Sequence, residues 1–178
     1  MDYFFSWREI KQVIKRLLTP RELLDSVESI NMGYLYDQGY RTVFLDIDNT
    51  ILIPGKRNMT LQKEQWVEKV KSIGFQVYVI SNNISYQRVS RVCKQLGVFG
   101  LYLSLKPLVF NVKELIRDNN IDPEKIIVVG DQVLTDVIFG NWMRAYSILV
   151  EPMNKKASFL KAVQWEIEVM LLKSVGAI

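Results

Sequence analysis

Histidine is absent from the 178-residue sequence, which removes serine–histidine and cysteine–histidine nucleophile pairs and the usual zinc centres. Proton transfer near neutral pH then falls to carboxylates, lysine, tyrosine or a thiol. Cysteine occurs once, at Cys93. No intramolecular disulfide or multi-cysteine metal site can form, and a reducing, cytoplasmic setting is expected. No run of about 18 or more apolar residues occurs, so no helical membrane span is expected. The basic, aromatic N-terminus lacks a small-residue cleavage pattern after a long apolar stretch and does not read as a signal peptide. Low-complexity tracts and fixed-period repeats are also missing, which leaves one globular domain. Charge is nearly balanced, with 23 Lys and Arg against 19 Asp and Glu. The excess is small and the four tryptophans are scattered, so no nucleic-acid partner is expected.

Five short runs are present: Thr42–Leu45, Val77–Ile80, Leu101–Ser104, Ile126–Val129 and Ser147–Val150. They do not alternate polar with apolar residues, which fits strands buried on both faces. Between them, apolar residues recur near every 3.6 positions. Thr60 suits the N-cap of a helix carrying Trp66, Val67 and Val70 on one side, and further helical patterns cover Val89–Leu96, Val109–Ile116 and Val133–Met143. Strands alternating with helices predict right-handed crossovers and a three-layer α/β/α sandwich around a five-stranded parallel sheet. Gly74, Gly97, Gly100 and the stretch from Asn119 to Pro123 mark joints. The expected division is an amphipathic helix over residues 1–19, a core over 20–152 and a C-terminal helix over 153–178. Ligands of such sheets bind beyond the carboxyl ends of the strands.

The first run ends in Asp46-Ile47-Asp48-Asn49-Thr50. Side chains alternate along an extended chain, so Asp46 and Asp48 can leave the sheet edge in one direction. Two carboxylates about 4 Å apart repel by roughly 4 kcal/mol at an effective dielectric near 20, and a bound divalent cation would offset this. Taken alone, the pair also fits a polar loop with helix-capping aspartates. Three further strand ends add polar groups: Ser81-Asn82-Asn83, then Lys106-Pro107, then Gly130-Asp131 with Asp136 five residues on. Singly, a serine after a strand is a common turn residue and Lys-Pro a common helix start. In this order they form a set. Asn49 and Thr50 suit side-chain to backbone bonds beneath the turn, and Cys93, beside Val92 and Leu96, suits packing.

These motifs resemble, in order, those of the haloacid dehalogenase-like phosphatases. With Leu18-Thr19-Pro20 and Thr135-Asp136, the resemblance is to the capless YqeG family (subclass IIIA), which is related to phosphatidylglycerophosphate phosphatases. It covers roughly residues 20 to 152 and implies a Rossmann-like fold with no cap domain. It further implies that Asp46 is the nucleophile, forming an aspartyl phosphate, and that Asp48 is the acid and base. Ser81 and Asn82 would contact the phosphoryl group, and Lys106 would balance the clustered charge. Mg²⁺ would be held by the Asp46 carboxylate, the Asp48 backbone carbonyl and Asp131, with Asp136 acting through water or orienting Lys106. The usual Gly-Asn-Arg of the family stands here as Gly140-Asn141-Trp142, with an arginine only at Arg144.

About 30 residues separate Asp48 from Ser81 and about 25 separate Ser81 from Lys106, each enough for one crossover helix and its loops. Without a cap, the site is open to a large substrate such as a lipid headgroup. Phe4, Trp7, Ile10, Val13, Ile14, Leu17 and Leu18 fall near helical spacing, with Arg8, Lys11, Lys15 and Arg16 among them. That pattern suits a peripheral contact of residues 1–18 with the inner face of the membrane, and equally packing on the domain or on a second copy. Phe159–Leu172, with Trp165 and Leu171, poses the same choice. Phosphatidylglycerophosphate is the expected substrate. The alternatives are a soluble phosphatase acting on a phosphoprotein, nucleotide or sugar phosphate, and a receiver-type phospho-accepting module, against which Asp48 argues. The sequence does not specify an oligomeric state.

Overall fold

The unalternating apolar runs become the middle strands of a parallel sheet. The computed structural model describes residues 6–154, 159–174 and 176, the side chains of 159–165 excepted. In chain order the elements are α1 (Trp7–Leu18), β1 (Glu22–Leu24), α2 (Met32–Asp37), β2 (Thr42–Leu45), α3 (Leu61–Ile73), β3 (Gln76–Ile80) and α4 (Tyr86–Leu96). β4 (Phe99–Leu101), α5 (Phe110–Asp118), β5 (Ile126–Gly130), α6 (Ile138–Trp142), β6 (Tyr146–Val150) and α7 (Phe159–Ser174) follow. The sheet order is β1-β6-β5-β2-β3-β4 with every pairing parallel. Every residue of β2 and β5 is buried, because these strands have neighbours on both sides and helices on both faces.

The sheet has six strands, not the expected five. The sixth is β1, a Glu-Leu-Leu edge strand paired with β6 from Glu22↔Ile148 to Leu24↔Val150. An edge strand of three partly exposed residues has no continuous apolar run to announce it. At the other edge, β4 lies at Phe99–Leu101 rather than Leu101–Ser104, and Phe99 and Gly100 are exposed rather than buried on both faces. A Cβ at Gly100 would press on Cys93 Sγ and the Val79 backbone, so only glycine lets this strand close on β3.

One face of the sheet is covered by α2, α3 and α4, with Trp66, Val67 and Val70 packed on Val43, Val77 and Val79. Thr60 caps α3 as its spacing predicts, its hydroxyl accepting from the Lys63 N–H at 3.4 Å. The other face carries α5 and α6, with Val112 and Phe139 against Phe44 and Val128. α1 and α7 lie on this same face, where Leu18 and Leu172 meet Val133, Val137 and Leu149. The helix expected over Val133–Met143 is in two parts, a π-helical turn over Val133–Val137 and then α6. The wide turn arises where Gln132 O accepts from the N–H groups of both Asp136 and Val137, and such turns are frequent at functional sites.

α1 starts with a capping box, in which Ser6 and Glu9 exchange side-chain to backbone bonds. Leu18 is its one buried residue, while Trp7 is 76% exposed and Val13 and Ile14 are also open. Phe4 and the side chains of Phe159 and Trp165 lie outside the described residues. No helix among the described residues is long and apolar enough to cross a membrane. The end of α1 is held by Asn141, whose Nδ2 lies 2.9–3.0 Å from the carbonyls of Arg16, Leu17 and Thr19, while its Oδ1 accepts from Ser147 Oγ. With its two N–H hydrogens and its oxygen all engaged, at about 1 kcal/mol per net bond, Asn141→Ala should lower the unfolding free energy by about 3 kcal/mol. Urea denaturation checks the magnitude, and faster proteolysis near residues 7–20 checks the location.

Candidate active site

β2 extends by one residue through the Asp46 N–H, which donates to Val129 O at 2.9 Å. The chain then turns sharply. Asn49 takes a left-handed φ of 68° with its N–H on Leu52 O, and its carbonyl accepts from the Met153 N–H. Thr50 Oγ1 lies 3.4 Å from Asp46 Oδ2 and 3.5 Å from Asp131 Oδ1. Thr50 thus reaches the carboxylates themselves, where side-chain to backbone bonds were expected of it.

Lys106 is the hub of the site. Its Nζ lies 2.7 Å from Asp46 Oδ1 and 2.6 Å from Asp136 Oδ1, and all three side chains are largely buried. Asn82 places the lysine: its Oδ1 accepts from the Lys106 N–H at 2.7 Å and from Ser104 Oγ, and its Nδ2 donates to Lys106 O. The Ser104 N–H donates to Ser81 O and the Leu103 N–H to Asn83 O. So pinned, the loop holds Leu103 (φ 47°) and Leu105 (φ 59°) in the left-handed region, at a cost of about 1 kcal/mol each. Gly130 is required beneath, since a Cβ there would overlap the Asp136 carboxylate.

Asp48 faces the other way. Arg88 Nη2 and Nε reach its Oδ1 at 2.6 and 3.1 Å, and Asn83 Nδ2 donates to its Oδ2 at 2.7 Å. The Asn83 N–H in turn donates to Ser81 Oγ at 3.1 Å. Asp46, Asp48, Ser81, Asn82, Lys106 and Asp136 therefore line one cleft of about 210 Å³, with Asn83, Gln132 and Thr135. Asp131 is buried and does not line the cleft, and carboxylate oxygens of Asp46, Asp131 and Asp136 lie within 4.8 Å of one another. The Asp48 side chain is outside that triad, so any ligation by Asp48 falls to its backbone carbonyl. Trp142 and Arg144 do not line the cleft. Arg144 instead shares a separate groove with Arg16 and Arg21.

Two contributors carry no sequence signal. Arg88 is an ordinary residue in the first turns of α4, and Glu168 sits on α7. The Glu168 carboxylate, 1% exposed, accepts from the Val133 N–H at 3.0 Å and the Leu134 N–H at 3.5 Å, fixing the start of the turn that carries Asp136. Cys93 is buried packing, as expected, and burial pushes its thiol up.

Burial raises Asp46 to about 6, Lys106 opposes that shift, and the neighbouring charges of Asp136 and Asp48 add to it. Burial on its own would lower Lys106, but Asp136 and Asp46 more than offset it and hold the ammonium well above its ordinary range. Both groups are therefore mainly charged at pH 7. Among the described residues, the converging carboxylate oxygens of Asp46, Asp131 and Asp136 are placed to hold one divalent cation. Clustered hard oxygen donors are the set such an ion takes.

The family model described as "Mitochondrial PGP phosphatase" matches residues 8–153. The chain belongs to the mitochondrial PGP phosphatase family. It is 28% identical over 163 residues to the probable phosphatase YqeG of Bacillus subtilis, covering 92% of this chain and 94% of that one. It is 21% identical to phosphatidylglycerophosphate phosphatase 1, chloroplastic/mitochondrial, of Arabidopsis thaliana, covering 89% of this chain but only 48% of that protein. The fold is also that of the cobalt-bound deoxy-D-mannose-octulosonate 8-phosphate phosphatase of Haemophilus influenzae, with a TM-score of 0.50 at 15% identity over 78% of this chain and 91% of that one. As a member of this PGP phosphatase family, the protein is a phosphatase acting on phosphorylated substrates, and its buried carboxylates suit metal-dependent phosphomonoester hydrolysis.

The raised Asp46 has a consequence for stability. Its proton is held more tightly in the folded than in the unfolded chain, so stability from this group is full below about pH 4 and is lost as pH rises through about 6. In metal-free protein, Asp46→Asn should therefore gain stability over wild type between pH 4 and pH 7. Paired urea titrations measure the gap, and a gap that does not widen with pH contradicts the shift.

Proposed function

We propose that the protein removes the terminal phosphate of a phospholipid headgroup, converting phosphatidylglycerophosphate to phosphatidylglycerol, with Mg²⁺ as cofactor and a phosphorylated Asp46 as intermediate. One observation carries the mechanism: Asp46 lies buried at the cleft base on Lys106, while Asp48, two residues on, is anchored separately by Arg88 and Asn83. The two carboxylates are thus held apart for different work. Asp46 attacks phosphorus in line, the bond to the ester oxygen breaks, and Asp48 gives that oxygen its proton. Asp48 then takes a proton from water as the water oxygen attacks phosphorus, breaking the bond to Asp46 and restoring its carboxylate.

The Ser81 hydroxyl donates to a phosphoryl oxygen, and the remaining N–H groups of Asn82 are placed to do the same. Lys106 keeps Asp46 oriented and offsets charge built up in the transition state. Mg²⁺ would be held by the Asp46 and Asp131 carboxylates and the Asp48 carbonyl, with Asp136 through water or as the partner of Lys106. When bound, it supplies positive charge to the transferring phosphoryl group.

Three features support a lipid substrate. A cleft of about 210 Å³ takes a phosphoryl group and little more, so the rest of the substrate lies outside. No inserted unit covers it among the described residues. The Arabidopsis relative is named for phosphatidylglycerophosphate. The open side of α1, with Trp7, Val13 and Ile14 among Arg8, Lys11, Lys15 and Arg16, gives a peripheral membrane contact.

Phosphate release from phosphatidylglycerophosphate in mixed micelles, beside a panel of sugar phosphates, nucleotides and phosphopeptides, tests this reading. Asp46→Asn should fall to background, Asp48→Asn should lose about 10²–10⁴-fold, and chelation should stop turnover until Mg²⁺ is restored. Activity surviving in Asp46→Asn removes the mechanism, and preference for a soluble ester removes the lipid.

A further inference from the structure

Among the described residues, a group of exposed apolar side chains stands beside the cleft. Ile84 and Tyr86 follow β3, and Leu103, Leu105, Leu108 and Phe110 follow β4, with exposures from 44% at Leu103 to 81% at Ile84. Both segments stand at the carboxyl ends of their strands, next to Asn82, Asn83 and Lys106 of the cleft lining. They form one patch. The Leu103 N–H donates to Asn83 O, the Asn111 side chain donates to Leu103 O at 3.3 Å, and the rings of Tyr86 and Tyr102 meet edge-on with centroids 5.4 Å apart.

The clamp of Asn82 on Lys106 fixes this display. The backbone that turns the lysine inward holds Leu103 and Leu105 at positive φ with their side chains in solvent. Glycine or asparagine takes that conformation at lower cost. The two leucines therefore add apolar surface that the loop does not need for folding, and a contiguous exposed patch of this kind marks an interaction surface.

Charge selects the occupant. Between Glu68 and Glu114 the sequence contains no acidic residue but seven lysines and arginines, of which Lys71, Arg88 and Lys106 are ion-paired. Arg91, Lys94 and Lys113 are exposed, and Lys113 Nζ lies 5.1 Å over the ring of Phe110. An apolar tip with a basic, acid-free flank matches a bilayer carrying anionic headgroups. α5, which begins in this patch, lies on the sheet face that also carries α1. Resting on the lipid-headgroup reading above, we propose that the loops after β3 and β4 dock on an anionic lipid bilayer through Ile84, Leu105, Leu108 and Phe110. The mouth of the cleft is thereby seated at the depth of the headgroups.

The test uses the full chain and vesicles of phosphatidylcholine with phosphatidylglycerol, free of any phosphomonoester. Replacing Ile84→Asp and Phe110→Asp together should weaken co-sedimentation at least about tenfold, with turnover of soluble p-nitrophenyl phosphate unchanged. If the aspartates lower that turnover, Ile84→Ser with Phe110→Ser carries the same comparison. Equal vesicle binding by variant and wild type overturns the proposal. So does binding that is lost only when Trp7 and Ile14 of α1 are replaced. A change of mass in light scattering with vesicle binding intact would make the patch a contact between copies, and overturns it too. Failure to hydrolyse phosphatidylglycerophosphate, with patch-dependent binding intact, would overturn the substrate and leave the surface standing.

Discussion

An ammonium group buried between two carboxylates governs the architecture around it. Taking Lys106, Asp46 and Asp136 out of water costs several kcal/mol per ion, which their mutual attraction repays only when geometry is close and remaining polar atoms are bonded. The surrounding structure meets that condition from four strand ends. Asn82 grips both backbone atoms of Lys106, Gln132 and Thr135 bond to Asp136, and Asp46 is locked into the ladder by Val129. Gly130 lacks a side chain because the Asp136 carboxylate occupies its space.

The triad also bears on how a cation would be held. Lys106 offsets one negative charge where three aspartates converge, and burial pushes Asp46 toward its neutral form. A doubly charged ion among those oxygens would oppose that shift and further favour the ionised Asp46 carboxylate. Asp48, tied to Arg88 on the far side, is spared from this cluster and keeps its own orientation.

Central parts of this arrangement were legible in the chain. Runs such as Ile126–Val129 are apolar on both faces because helices cover both, and polar residues at successive strand ends follow from where parallel sheets bind ligands. The sheet edges were not legible: β1 and β4 are three residues each and half in solvent, so burial leaves no pattern in them. Arg88 and Glu168 were missed for a different reason. Their partners lie 40 and 35 residues away, and nothing local distinguishes a charged residue that reaches into a site from one that faces water. The Trp142 departure from the family's Gly-Asn-Arg falls away from the cleft lining, and the Asn141 beside it serves as a clamp on α1.

The uncovered cleft bears on timing. Phosphatases with a mobile cover must open and close it in each cycle, and such motions often set the turnover rate. Among the described residues, no segment of this protein is large enough to swing over Asp46. Entry of a phosphorylated substrate and escape of inorganic phosphate thus call for no domain motion among these residues. A covering motion is then not the step that would limit turnover, which leaves the chemistry or the exchange of product for substrate.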